Sequence, residues 1–172
     1  GLPSLSLLFG DGAGGFGPSR PILPSIAADA AIGDVTGDGV PDVVLAGEGI
    51  EVIPGPVDPL HPPAARIRVP GTVLAGHVAL DDFNRDGRLD IATADFLGND
   101  AAVALSLGGG GFTRIRHLPA STFPEGIATG DVNGDGATDI AVANFASGDV
   151  TVIEGTGTGA FRPSKQFRAG PF

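Results

Sequence analysis

Three nine-residue segments carry most of the side chains in this chain that could do chemistry. They read 34-DVTGDGVPD-42, 82-DFNRDGRLD-90 and 131-DVNGDGATD-139. In each, oxygen-bearing side chains stand at positions one, three, five and nine, and a glycine stands at position six. The third segment places three carboxylates within nine residues and contains no lysine or arginine to relieve their repulsion. Oxygen donors at this density predict a bound hard cation, and calcium, which takes six to eight oxygen ligands in flexible geometry, suits them best.

Other interpretations of these segments are weaker. An EF-hand loop would carry a bidentate glutamate at position twelve, where this chain has Leu45, Thr93 and Val142, so the EF-hand interpretation fails. Magnesium requires stricter octahedral geometry and keeps several waters. The remaining alternative is a plain turn, because Asp, Asn and Gly dominate turns for reasons unrelated to metal. Three copies that each keep the ninth aspartate favour the cation.

The acidic segments belong to a longer repeat, since their first aspartates lie 48 and then 49 residues apart. Each is followed by a short apolar run, namely 43-VVLAG-47, 91-IATADF-96 and 140-IAVANF-145. A glycine-rich segment recurs in the same phase as 8-LFGDGAGGF-16, 105-LSLGGGGF-112 and 153-IEGTGTGAF-161, with a degenerate copy near 53-IPGPVDPLHPP-63. One unit therefore reads as strand, acidic loop, strand, link, strand, glycine-rich turn and strand.

Four short strands in a period in the forties indicate a β-propeller blade. A parallel β-helix would need shorter coils, and a sandwich would give no reason for so regular a period. The predicted fold is thus an all-β propeller built from four-stranded blades of about 49 residues, with about three and a half blades in this chain. We expect a half-blade at residues 1–25 and blades at 26–70, 74–118 and 126–170.

A propeller usually has four to eight blades, so we expect that this ring does not close within the 172 residues. Two copies would supply 344 residues, close to seven blades, but their half-blades are the same half and cannot complement each other. Further blades from the same longer chain, or from other subunits, are expected. The chain begins at Gly1 without a recognisable signal peptide, which we interpret as a processed protein or a fragment.

Composition excludes several classes of function. The formal net charge is −10 and the Lys and Arg residues are scattered, so no basic stripe is present to bind nucleic acid. There is no cysteine, which excludes disulfides, thiolate metal sites and cysteine nucleophiles. No apolar stretch is long enough to predict a membrane-spanning helix. The glycine runs lack the lysine and the following helix of a phosphate-binding loop, so they are predicted to be turns.

The unit resembles the FG-GAP or VCBS repeat, which forms the blades of integrin α-subunit heads, some fungal lectins and many secreted bacterial proteins. The clearest copy is 127-IATGDVNGDGATDIAVANF-145. The resemblance implies calcium ligands at positions one, three, five and nine and at the backbone carbonyl of position seven. When these ligand positions are carried over to the three acidic segments of this sequence, three Ca²⁺ sites are expected. They comprise Asp34, Thr36, Asp38, Val40 and Asp42; Asp82, Asn84, Asp86, Arg88 and Asp90; and Asp131, Asn133, Asp135, Ala137 and Asp139. The first site is expected to be the weakest, because the Thr36 hydroxyl has a shorter reach.

The resemblance implies a non-enzymatic, calcium-stabilised module of a secreted or cell-surface protein, used for adhesion, recognition or assembly. Millimolar extracellular calcium can fill loops of modest affinity. A carbohydrate-binding propeller is one alternative, although the chain has no Trp or Tyr, and an accessory propeller of an extracellular hydrolase or lyase is another. The protein or glycan ligand is unknown. His61, His77 and His117 share no spacing that suggests a metal or catalytic site. His77 is interpreted as a surface or packed residue, with the lining of a channel mouth as the alternative.

Overall fold

The computed structural model describes residues 4–24, 27–57, 66–71 and 74–170. Within these ranges the chain forms sixteen strands and no helix. None of the described segments forms a helix of the length and hydrophobicity that a membrane span requires. Gly1, the predicted boundary between residues 25 and 26, and His61 lie outside the described residues.

Most strands belong to three four-stranded antiparallel sheets. The first sheet contains β3 (Ala27–Gly33), β4 (Asp42–Gly47), β5 (Gly49–Ile53) and β6 (Ile67–Arg68). The second contains β7 (Ala75–Asp81), β8 (Asp90–Asp95), β9 (Asp100–Ala104) and β12 (Arg116–Pro119). The third contains β13 (Pro124–Gly130), β14 (Asp139–Asn144), β15 (Asp149–Ile153) and β16 (Lys165–Arg168).

Two shorter ribbons complete the described strands. One pairs β1 (Ser4–Leu7) with β2 (Arg20–Pro24), and the other pairs β10 (Ser106–Gly108) with β11 (Gly111–Phe112). In the second and third sheets the glycine-rich segments form hairpins, closed by the pairs Ser106–Phe112 and Gly155–Phe161. These hairpins link the third strand of a sheet to its fourth strand.

The sheets stack through apolar side chains on both of their faces. Successive residues of a strand point to opposite sides, so a strand that is apolar at every position can be buried on both faces. In β4, Val44 and Ala46 pack into a core shared with the second sheet, whereas Val43 and Leu45 pack with Leu5 of β1. A second core lies between the second and third sheets.

The first strands of the three sheets lie side by side, because β7 contacts both β3 and β13. The backbone N–H of Val78 donates to Asp29 Oδ2 at 3.0 Å, a contact that spans 49 residues and hence one repeat. The prediction of an all-β fold with several antiparallel sheets is therefore confirmed. Closure of a ring and the number of blades stay predictions.

The third sheet has an outer face that no described residue covers, whereas the first two sheets bury the same face. At the second position of the acidic loops, Val35 and Phe83 are buried, but Val132 is 61% exposed. Leu118 of β12 is likewise buried, whereas Phe167, at the matching register position of β16, is 53% exposed. The third sheet therefore presents apolar side chains to solvent where its neighbours pack against another sheet.

Candidate metal-binding loops

The three acidic loops connect the first strand of each sheet to the second, and their turns need a left-handed backbone. Position six supplies it with φ values of 86° at Gly39, 84° at Gly87 and 79° at Gly136, as its glycines lead one to expect. The structure adds a second left-handed residue at position four. There φ is 74° at Gly37, 60° at Arg85 and 78° at Gly134. Arg85 bears a cost of about 1–2 kcal/mol for this conformation.

The first aspartate of each loop accepts hydrogen bonds from the loop backbone. Asp131 Oδ2 accepts the N–H of Gly136 at 2.7 Å, and Oδ1 accepts that of Gly134 at 2.7 Å. Hydrogen bonds from these backbone groups hold the pKa of the Asp131 carboxyl below its ordinary value, and the bond from Gly136 has the largest effect. Asp34 and Asp82 accept the matching glycine N–H groups at 2.8 Å. Each first aspartate thus fixes the curl of its own loop.

Oxygens from positions one and three converge on one donor, the backbone N–H of position five. In the third loop this N–H lies 3.2 Å from Asp131 Oδ1 and 2.8 Å from Asn133 Oδ1. In the second loop the distances to Asp82 Oδ1 and Asn84 Oδ1 are 3.1 Å and 3.0 Å. The position-five carboxylates accept the N–H of position seven, at 2.8 Å in the first and third loops and 3.0 Å in the second. In the second and third loops the side-chain oxygens of positions one and three therefore lie close together, beside the backbone of position five.

The first loop has a buried oxygen with no partner. Thr36 Oγ1, at position three, is buried and makes no hydrogen bond to any described residue. Burying a hydroxyl without a hydrogen bond costs free energy, so this atom is one that a cation ligated by the loop would satisfy.

The ninth aspartates differ from the others because they are fully buried and tie the loop to the rest of the sheet. Asp139 Oδ2 accepts the N–H of Val132 at 3.1 Å, and Oδ1 accepts the N–H of Gly155 at 2.8 Å. The same links run from Asp90 to Phe83 and Ser106, and from Asp42 to Val35, Thr36 and Gly55. Each ninth aspartate thus joins the start of its acidic loop to the segment after the third strand.

Burial changes the acidity of one of these aspartates. It raises the pKa of the Asp90 carboxyl from its ordinary value of 3.8 to about 6, and the nearby charges of Asp86 and Asp82 add to the effect. Backbone N–H groups of Ser106 and Phe83 oppose the shift. A divalent cation beside the loop would favour the ionised carboxylate.

The oxygen donors of the loops fit calcium. For the ion to be bound, the carboxylates of each described loop would have to move closer together. In none of them do three carboxylates have oxygens within 4.8 Å of one another. The ninth carboxylate already accepts backbone N–H groups, yet each of its oxygens has a second lone pair. Three arginines lie near the loops. Arg88 pairs with Asp86, Arg162 Nη1 lies 3.9 Å from Asp135 Oδ2, and Arg85 Nη2 donates to the Asp135 carbonyl oxygen at 3.5 Å. Position-seven residues Val40, Arg88 and Ala137 lie in the loop backbone, where the hydrogen bonds above hold them.

His77 lies away from the acidic loops. Its Nδ1 is 3.4 Å from Asp29 Oδ2 on the neighbouring first strand, and it lines a cavity of about 500 Å³ together with Leu74, Phe96 and Glu125.

Phe96 also packs on Phe123, with ring centroids 3.9 Å apart, and Phe123 is followed by Phe145 at 6.4 Å. The sequence did not indicate this aromatic group, whose members lie next to the ends of strands of the second and third sheets.

A family model described as an FG-GAP-like repeat matches residues 82–142, which include the second and third acidic loops. The predicted resemblance is confirmed over that range. No curated protein matches the chain in sequence.

Two solved structures show the same fold at low sequence identity. One is an Agrocybe aegerita lectin that recognises non-reducing terminal N-acetylglucosamine, with a TM-score of 0.61, 19% identity, and coverage of 96% of this chain and 46% of that chain. The other is BBS1N in complex with ARL6DN, with a TM-score of 0.61, 12% identity, and coverage of 98% and 57%. This chain therefore spans about half the length of each protein. Both are propeller-like, and at this identity the similarity shows the fold of this chain alone.

Proposed function

Because residues 82–142 carry an FG-GAP-like repeat, we propose that this chain is a segment of a calcium-stabilised β-propeller that acts as a non-enzymatic binding or assembly module. The observation that carries the proposal is the convergence of oxygens in the second and third acidic loops. Positions one and three share a single backbone donor, and position five lies next to them. All three loops repeat this pattern of residue types in phase.

Calcium has a structural role in this proposal. Each loop offers oxygens from positions one, three, five and nine and from the carbonyl of position seven, which matches the six to eight oxygen ligands of the ion when waters are added. Nine of the twenty acidic residues lie in the loops, so three bound ions would change the formal charge from −10 to −4. Bound calcium would remove the repulsion within each loop and add its binding free energy to folding.

Calcium titration of the metal-stripped protein by calorimetry, with a thermal melt of each form, tests the proposal. We expect up to three ions per chain, the weakest in the loop that contains Thr36, and a clear rise in melting temperature with calcium. Absence of binding, or binding that leaves the melting temperature unchanged, would overturn the structural role.

The three sheets are proposed to be successive blades, at residues 26–70, 74–118 and 126–170, after a half-blade at 1–25. The uncovered face of the third sheet supports a further blade beyond it, because Val132 and Phe167 are exposed where Phe83 and Leu118 are buried. A blade from the same longer chain, or from another subunit, would cover these side chains as the third sheet covers those of the second.

The proposed setting is outside the cell or at its surface, where calcium is abundant enough to occupy loops of moderate affinity. No group of a general acid, base and nucleophile was apparent in the sequence, and the aspartates of the loops are engaged by backbone donors. We therefore assign a stabilising role to the loops. We assign the binding of a partner to the surfaces between blades.

A glycan-binding propeller is the second candidate, and the aromatic group of Phe96, Phe123 and Phe145 favours it. Phe145 is exposed, and an exposed aromatic ring offers an apolar face of the kind that can bind a sugar ring. A glycan array with the calcium-loaded protein, repeated with Phe145→Ala, separates the candidates. Specific binding that the substitution abolishes would support the lectin, and its absence would leave the protein-binding module.

A further inference from the structure

A second group of potential metal ligands lies in the second sheet, at the end opposite to the acidic loop. Asp95 ends β8, Asp100 begins β9, and the two residues pair across the strands. His117 of β12 pairs with Ala102, two residues from Asp100, and so lies on the same side of the sheet as Asp100. One ligand atom from each side chain lies within 4.8 Å of the other two, and His117 Nδ1 is 3.0 Å from Asp100 Oδ2.

Among the described residues, one carboxylate oxygen of this group is buried without a partner, and a second accepts no hydrogen bond. Asp95 is only 5% exposed. Its Oδ1 accepts the N–H groups of Leu74, Leu97 and Gly98 at 3.0–3.3 Å, whereas its Oδ2 accepts no hydrogen bond from a described residue. Asp100 Oδ1 is buried and also has no partner. An unpaired buried carboxylate oxygen such as Asp100 Oδ1 is costly unless a cation or proton compensates it.

The third sheet shows how the same positions are satisfied without a cation. There Asn144 and Asp149 pair in the register of Asp95 and Asp100. Asn144 Nδ2 donates to Asp149 Oδ1 at 2.7 Å, and Ser121 Oγ donates to Asp149 Oδ2 at 3.0 Å. The second sheet has a carboxylate in place of the amide donor, so its two aspartates repel instead of bonding.

We propose that Asp95, Asp100 and His117 bind a divalent transition-metal ion, with Zn²⁺ as the ion to test. One imidazole nitrogen with two carboxylate oxygens is a donor set for zinc and its neighbours in the first transition row, whereas calcium takes oxygen ligands only. His117 is half-exposed, so water has access to a remaining coordination position.

The proposed zinc site is separate from the second acidic loop. Asp95 lies five positions after Asp90 in β8, a distance of about 16 Å along an extended strand. The two sites therefore share a strand without sharing a ligand. Calcium in the loop is not expected to compete with zinc at the opposite end of the sheet.

The test measures zinc binding to the full chain in excess calcium, by calorimetry and by competition with a chromogenic chelator. We expect one zinc site in the wild type, weakened more than about tenfold in Asp95→Asn and in His117→Ala. The matched control is Asp149→Asn in the third sheet, which should leave zinc affinity unchanged. Zinc should raise the melting temperature of the wild type and not that of Asp95→Asn.

Asp95→Asn is expected to fold, because it recreates the amide–carboxylate pair of Asn144 and Asp149. Gly98→Ala is a second variant that keeps every ligand. Its Cβ would lie 2.8 Å from Asp95 Oδ2 and 3.1 Å from Asp100 Oδ2, between the two carboxylates, and should weaken zinc binding. The proposal is overturned if the wild type binds no zinc in excess calcium, or if Asp95→Asn and Gly98→Ala both retain wild-type affinity.

Discussion

Asp139 and Gly155 are joined by a hydrogen bond of 2.8 Å from the glycine N–H to the buried carboxylate. The contact links the end of the third acidic loop to the glycine-rich hairpin of the same sheet. A Cβ at Gly155 would lie 2.1 Å from the carbonyl oxygen of Thr138, so the backbone of the third sheet leaves no space for a side chain at this position. Asp90 and Ser106 make the same link in the second sheet at 2.8 Å.

The ninth aspartate should stabilise the fold even without metal. Asp139→Ala leaves the N–H groups of Val132 and Gly155 without their acceptor, so we expect a loss of about 3 kcal/mol in the free energy of unfolding. The matched variant Asp135→Ala removes an exposed carboxylate of the same loop and should cost less than about 1 kcal/mol in the metal-free protein. Urea unfolding followed by circular dichroism measures both, because the chain has no Trp or Tyr for fluorescence.

Adding calcium should then raise the cost of both substitutions, because both residues are proposed ligands. Asp135→Ala is expected to lose much of the stabilisation that calcium gives to the wild type, because it removes a proposed ligand. If the two variants unfold alike in chelator, the distinction between the buried link and the exposed ligand is wrong.

Gly155→Ala should be strongly destabilising. The added Cβ would overlap the backbone carbonyl of Thr138, which can move only with the hairpin and the loop together, so we expect a cost of about 2–3 kcal/mol. Gly126→Ala in β13 is the control, since its Cβ would meet only Ala143 Cβ at 3.4 Å. Chemical unfolding of both variants checks the prediction, and equal costs would contradict it.

The metal-free protein should show a pH dependence that comes from Asp90. Its pKa is raised from 3.8 to about 6 in the folded state, so folding takes up a proton between these values. The stabilisation from protonated Asp90 is complete below about pH 4 and is lost as the pH rises through about 6, amounting to about 3 kcal/mol. Unfolding free energies of the stripped wild type and of Asp90→Asn across this window measure the difference.

Calcium should reduce this dependence, because a bound cation keeps the carboxylate ionised. Asp90→Asn should also lack it, although the variant is less stable throughout. If, without metal, the unfolding free energy of the wild type changes with pH in the same way as that of Asp90→Asn, the raised pKa of Asp90 is ruled out.

The uncovered face of the third sheet gives a further prediction. Leu118→Ala should cost about 2–4 kcal/mol because the side chain is buried between two sheets. Phe167→Ala, at the matching position of the third sheet, should change the stability of this chain by less than about 0.5 kcal/mol. In a longer chain that supplies a further blade, Phe167→Ala should become as costly as Leu118→Ala. A small effect in both settings would show that no sheet packs there.

Much of the fold could be predicted because its signals are local and repeated. The 48- and 49-residue spacing, the turn glycines and the strand after each acidic loop are properties of short segments, and turn and strand preferences act over such lengths. Left-handed Arg85 was not predicted, since its type does not favour that conformation and only the two matching glycines, Gly37 and Gly134, hint at it.

The sequence by itself determined the residue types of the acidic loops, their position within the repeat and the all-β class, because the repeat spacing and the turn residues are visible in the order of the amino acids. Only the tertiary structure decided that Asp139 bonds to Gly155 and that Asp95, Asp100 and His117 meet. These contacts depend on strand register and on which sheet faces a neighbour, and a one-residue change of register would move a side chain to the opposite face. The same reason explains why Val132 is exposed where Val35 is buried: burial depends on the neighbouring sheet and not on the residue.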